Sequence, residues 1–116
     1  MYKDGLYYGS IQGQLPQGYG LFVYENGDMY VGNWDKGMPS QYGYYYLVEG
    51  GFYFGQIEAG QASGYGVYFS KIDDFYYQGT FESGFLEGKG YMNSQGIPQD
   101  CTVEASRIVN SKRRNL

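Results

Sequence analysis

Histidine is missing from all 116 residues, and its absence excludes imidazole general bases, imidazole metal ligands and the Ser-His and Cys-His nucleophile pairs. Cysteine is nearly missing too. Cys101 alone cannot close an internal disulfide, which fits a reducing compartment, and with no histidine beside it the thiol reads as a small apolar packing group. No apolar run approaches the roughly 20 residues of a membrane helix, and Met1-Tyr2-Lys3-Asp4-Gly5 lack the apolar core of a secretion signal. A cytoplasmic protein is therefore expected. Gly88-Lys89-Gly90 invites comparison with a phosphate-binding loop but fails it, because Gly90 stands where that loop needs Ser or Thr and the preceding glycine spacing is wrong. The only adjacent acid pair, Asp73-Asp74, reads as a solvated turn. The expectation is no enzyme, no cofactor and no metal.

What the chain does hold is 20 Gly, 16 Tyr and 7 Phe, a composition far from the roughly 7% glycine of an average chain. Tyrosine takes the packing role usually held by Leu and Val. The length is that of one ordinary domain. Charge is divided unevenly. Residues 1–100 carry eleven acids against four bases, a net of −7, whereas residues 101–116 carry Glu104 against Arg107, Lys112, Arg113 and Arg114, a net of +3. An acidic body repels phosphate backbones and anionic headgroups. Nucleic acid is excluded as a partner on this ground, and only the basic tail could draw lipid.

The glycines are periodic. Gly9, Gly32 and Gly55 are 23 apart with Gly79 following after 24, and Gly20, Gly43, Gly66 and Gly90 repeat the same spacing, so one residue is inserted near Tyr76. In register, the units open Tyr7-Tyr8-Gly9, Tyr30-Val31-Gly32-Asn33-Trp34, Tyr53-Phe54-Gly55-Gln56-Ile57 and Tyr77-Gln78-Gly79-Thr80-Phe81. Each then reaches a step such as Gly18-Tyr19-Gly20 and an apolar run such as Leu21-Phe22-Val23-Tyr24. Alternation of Tyr30, Gly32 and Trp34 at period 2 places all three on one face of a strand. Turn signals such as Asn26-Gly27 close each second strand. Eight strands at about 4.8 Å would make a ladder about 38 Å long. The expected organisation is an array over residues 1–97, with units at about 7–29, 30–52, 53–76 and 77–97.

The pattern Tyr-x-Gly-x-Trp-x-x-Gly, then Gly-x-Gly, then an aromatic strand and a glycine turn, resembles the MORN repeat family over residues 7 to about 96, with Tyr30 to Gly37 the nearest match. Ile11 and Ile57 depart from it at the Trp position, Gln41 at a paired Gly and Asp73 at a turn Gly. The resemblance implies an all-β fold, an elongated, single-layer, twisted antiparallel sheet of repeated β-hairpins with a shallow aromatic groove. It also implies roles in protein interaction, scaffolding of cytoskeletal and membrane-contact assemblies, and phospholipid binding. Met1 to Lys3 are expected to supply a partial capping strand. Residues 98–116 are read as a short C-terminal α-helix and basic tail, with Asp100 as N-cap and Cys101, Ala105, Ile108 and Val109 at helical spacing.

Both faces of this sheet are apolar. If Tyr30 and Trp34 define one face, the other carries Tyr8, Val31 and Phe54, while second strands give either Leu21, Val23, Tyr44, Tyr46, Val67 and Phe69 or Phe22, Tyr24, Tyr45, Leu47 and Tyr68. A single layer has nothing of its own to cover a second apolar face, and such faces mark interfaces. The expected partner-binding face comprises Tyr7, Tyr30, Trp34, Tyr53, Tyr77, Phe81, Phe22, Tyr45 and Tyr68, with Tyr8, Val31, Phe54, Tyr44, Tyr46 and Phe69 opposite. The function expected is a structural or adaptor subunit that binds other protein chains in a larger assembly, cytoskeletal or ciliary. Homodimerisation is compatible with it. The alternatives are a peripheral phospholipid-binding module, disfavoured by the acidic body, and a targeting fragment of a larger enzyme.

Overall fold

The alternation of ring and glycine is realised as strand from end to end. The structure is a computed structural model that describes residues 5–113. Ten strands follow in order: β1 (Gly5–Gln12), β2 (Leu15–Tyr24), β3 (Met29–Asp35), β4 (Met38–Leu47), β5 (Gly51–Glu58), β6 (Gln61–Ser70), β7 (Phe75–Glu82), β8 (Phe85–Ser94), β9 (Ile97–Glu104) and β10 (Arg107–Arg113). They form one open antiparallel sheet in which every strand pairs only with its sequence neighbours. The molecule measures 52 × 23 × 22 Å, its length running across the strands. The expected capping strand at Met1 to Lys3 lies outside the described residues.

Two-residue turns set the register. At Lys36-Gly37, Ala59-Gly60, Ser83-Gly84, Gln95-Gly96 and Ala105-Ser106 both residues have positive φ, the type I′ geometry whose twist matches that of the flanking strands. Successive hairpins are also joined at their turns. Gly37 N–H donates to Pro16 O at 2.9 Å, Gly60 N–H to Pro39 O at 3.0 Å, Gly84 N–H to Ala62 O at 2.9 Å and Ser106 N–H to Leu86 O at 2.9 Å. The inserted residue falls in the four-residue turn 71–74 between β6 and β7, where the preceding junction 48–50 has three.

The C-terminal α-helix is not formed. Residues 97–113 make a fifth hairpin, β9–β10, and extend the sheet to ten strands instead of eight. Cross-strand register explains why. Gly90 faces Cys101, Met92 faces Gln99 and Gly88 faces Val103, which sets Gln99-x-Cys101-x-Val103 where the earlier units carry Tyr-x-Gly-x-Trp. With glutamine in place of the tyrosine, no ring covers the neighbouring strand and glycine is not required. Val103, at the Trp position, is 2% exposed and closes the core. Backbone pairing of β9 with β8 and β10 satisfies both of its edges, and Met92 is buried at the β8–β9 pair.

Candidate functional site

Cross-strand pairing places Phe22, Tyr30, Tyr45, Tyr53, Tyr68, Tyr77 and Met92 in one row across β2 to β8, on what is here called the inner face. Within each unit the first tyrosine folds back over the sheet, and its hydroxyl donates to the carbonyl three residues on: Tyr7 to Ser10 at 2.6 Å, Tyr30 to Asn33 at 3.0 Å, Tyr53 to Gln56 at 2.7 Å and Tyr77 to Thr80 at 3.2 Å. The ring then lies directly over the glycine of the next strand. A Cβ at Gly20, Gly43, Gly66 or Gly90 would come under 3.0 Å from the ring of Tyr7, Tyr30, Tyr53 or Tyr77 respectively. Each unit is thus a tyrosine clamped onto a glycine.

The Trp position fills the gap between successive clamps. Trp34 meets Tyr7 and Tyr30 edge-on at 5.2 and 5.3 Å and donates from Nε1 to Gly20 O at 3.1 Å. Phe81 meets Tyr53 and Tyr77 in the same way at 4.9 and 5.4 Å. Edge-to-face pairs add about 0.5–1.5 kcal/mol each beyond area burial. Burial pushes the Tyr30 and Tyr53 phenols up to about 12, and burial with the nearby Tyr24 raises Tyr45 further. The rings are held neutral because a phenolate there would lose its water.

Most of the expected partner-binding face therefore serves as the protein's own core. Tyr30 and Tyr77 are 0% exposed, and Phe22, Trp34, Tyr53 and Phe81 are also buried, with Tyr7, Tyr45 and Tyr68 packed against them. What the inner face leaves open is a groove of about 730 Å³ over β4 to β10, walled by Tyr45, Tyr53, Tyr68, Phe75, Phe81 and Leu86 and rimmed by Phe85 and Ile108. Leu86, Phe85 and Ile108 are absent from the sequence-based set. They lie in the strand runs after the turns Ser83-Gly84 and Ala105-Ser106, and the regular recurrence of Asp35, Glu58, Glu82 and Glu104 at strand ends is the signal that locates them.

The outer face presents Tyr8, Leu21, Val31, Tyr44, Phe54 and Val67 in one row, with Tyr46, Phe52 and Phe69 in the next. Tyr8, Tyr46 and Phe54 are exposed, and Val31, Tyr44 and Phe69 are half-buried. Tyr44 stacks on Phe52 at 5.6 Å, and Phe52 meets Phe69 at 5.7 Å.

The basic residues do not gather on a helix. Arg107 faces Glu104 and Lys112 faces Asp100 across β9–β10; the Arg113 side chain and Arg114 lie outside what the structure describes. Cys101 occupies the glycine row beside Gly90 O, and burial, with Asp100 adding to it, pushes its thiol up.

No curated protein matches the chain. Among family profiles, the MORN repeat matches residues 7–29, 53–72 and 77–93, more than half of the chain. The second unit, 30–52, falls outside the match; there Gln41 takes the place of Gly18, Gly64 and Gly88 and adopts their left-handed conformation, φ +68 against +91, +95 and +92. The tyrosine-glycine clamps, the hairpin period and the matched segments together show that this chain belongs to the MORN repeat family, whose repeats are non-catalytic modules of protein and membrane interaction.

Proposed function

We propose that this chain is a non-catalytic adaptor that holds an apolar segment of a partner protein in its inner groove, as one subunit of a larger cytoplasmic assembly of cytoskeletal or ciliary type. The observation that carries the reading is the groove itself. Its wall is aromatic, open to solvent and built on rings already fixed by the clamps and by hydrogen bonds such as Tyr45 Oη to Gly60 O at 3.0 Å. A partner side chain entering it displaces water from apolar surface without first ordering the wall, and preordering of this kind favours affinity. Phe85, 54% exposed, and Ile108, 46% exposed, stand at the rim as anchor positions. Acids at the strand ends Asp35, Glu58, Glu82 and Glu104 along one long edge, and Glu25, Asp28, Glu49, Asp73 and Asp74 in the turns of the other, favour a partner segment with flanking basic residues.

The test is affinity purification of the tagged chain from its native cell, with crosslinks mapped by mass spectrometry. A constant partner set crosslinked to β6–β10, lost from Phe85→Glu and Ile108→Glu chains that fold normally, supports the reading. An identical set recovered with those variants refutes the groove. Recovery in a membrane fraction with no partner chain would move the assignment to phospholipid binding.

A further inference from the structure

The outer face has a polar end that the groove does not use. Its row through Phe54 and Val67 continues into Gln78, Tyr91, Asp100 and Lys112, and Lys89, Thr102 and Asn110 stand beside it in the next row. With Tyr65 they line a concavity of about 670 Å³, within the roughly 300–1,000 Å³ of small-ligand sites.

The repeat departs from its own rule here, and in one direction. The residue before the second-strand glycine is Tyr19, Tyr42 and Tyr65 in the first three units but Lys89 in the fourth. Before the first-strand glycine stand Tyr8, Val31 and Phe54, then Gln78 in the fourth unit and Asp100 at the matching place in β9. The lattice accepts Tyr, Val and Phe at these places, so it does not demand the polar set. Lys89 is the only base in β1 to β9.

We propose that this concavity binds a neutral saccharide. The first reason is hydrogen-bonding capacity. Among the described residues the side chains of Lys89, Thr102, Asn110 and Lys112 make no hydrogen bond or ion pair, although all four line the concavity. The ammonium groups there donate, and the Asp100 carboxylate, opposite Lys112 across β9–β10, only accepts. A hydroxyl does both, so neighbouring hydroxyls of one sugar ring donate to Asp100 while accepting from Lys89 or Lys112. The two lysines stand on β8 and β10, about 10 Å apart along the sheet with β9 between them, so their flexible stems reach the same ligand over Asp100. Ions fit less well, because Asp100 opposes an anion and two lysines oppose a cation.

The second reason is a stacking surface. Tyr65 is 65% exposed at one end of the concavity, and Tyr91, packed edge-on against Tyr76 at 6.0 Å, lines its middle. Sugar rings carry an apolar C–H face beside their hydroxyls, and an aromatic ring with open apolar surface receives it.

The experiment is a titration of the isotope-labelled full chain with maltotriose, cellotriose and N,N′-diacetylchitobiose, followed by amide shifts in nuclear magnetic resonance. One or more of these sugars should give saturable shift changes in β7–β10 that include the side-chain amides of Gln78 and Asn110. Asp100→Asn and Lys89→Met should each weaken binding about tenfold or more, with the rest of the amide spectrum unchanged. Binding of a neutral ligand should not change with salt. Phe85→Glu, which alters only the groove rim, should bind the sugar normally, so failure of this site and failure of the groove are read separately. No shift change with any of the sugars overturns the proposal, as do changes that spare the Gln78 and Asn110 side chains or survive both variants. Displacement by inorganic phosphate, or weakening with salt, would assign the concavity to an anion and overturn it too.

Discussion

Replacing Gly43 with alanine should be among the most damaging single-methyl changes in the molecule. Gly43 has ordinary extended backbone, so no conformational penalty arises; the whole effect comes from the Tyr30 ring, which a Cβ would meet at under 3.0 Å. The ring cannot yield cheaply. It is 0% exposed, Trp34 meets it edge-on at 5.3 Å, and its hydroxyl shares its one proton between Asn33 O at 3.0 Å and Tyr42 O at 3.2 Å. Overpacking of this kind costs about 1–3 kcal/mol, and weakening the one hydroxyl hydrogen bond adds about 0.5–1.5 kcal/mol, so a loss of about 2–4 kcal/mol is expected. Urea unfolding followed by Trp34 fluorescence measures it. Gly13→Ala is the control. Gly13 has φ +66 and nothing within 4 Å of the added methyl, so only left-handed strain of about 1 kcal/mol should appear. In a Tyr30→Leu background the cost of Gly43→Ala should shrink by about 2 kcal/mol, within the usual range of contact coupling. A Gly43→Ala loss under about 1 kcal/mol, or strict additivity with Tyr30→Leu, would refute the clamp.

Alkaline titration is the second expectation. Tyr30 and Tyr53 lie at about 12 against an ordinary 10.0; a raised folded value means stability is intact below pH 10 and declines as pH rises toward about 12, by about 2–3 kcal/mol for each ring. Absorbance near 295 nm should show exposed phenols ionising first and the buried ones ionising with unfolding; a single reversible step near pH 10 in the folded chain would contradict this. Gln41→Gly should stabilise by about 0.5–1 kcal/mol by relieving a left-handed glutamine, and a lower urea midpoint would count against that account. Cys101, 6% exposed and with its thiol pushed up, should react with a disulfide reagent only as the β9–β10 hairpin opens, and labelling as fast as a free thiol would place it elsewhere.

Much of the fold was legible because its rule is covalent spacing. The Tyr-Gly offset demands a strand partner at fixed register, so the two glycine series determined hairpins, faces and direction of growth. The last unit was not legible for the same reason. Once Gln99 replaces the tyrosine, Cys101 and Ser111 can replace the glycines, and the period disappears from view while the backbone continues it. Cys101, Ala105, Ile108 and Val109 then mimic a helical stripe, although Val103, between the first two, carries the burial. The surface was harder still. Sequence alone shows that both faces are apolar, but not that Tyr30, Trp34 and Tyr77 vanish beneath their own neighbours, because that depends on how far each ring folds back over a glycine.

A ladder in which each strand holds only the strands beside it has a mechanical meaning. Its hydrogen bonds run along the 52 Å axis, so tension applied between the two ends of the chain loads them one strand at a time, as a zipper, and not all at once in shear. Each unit folded into about 10 Å of ladder stores roughly 80 Å of extended chain. Between a load and an anchor, the array is an extensible link that lengthens in steps and rewinds by local turns.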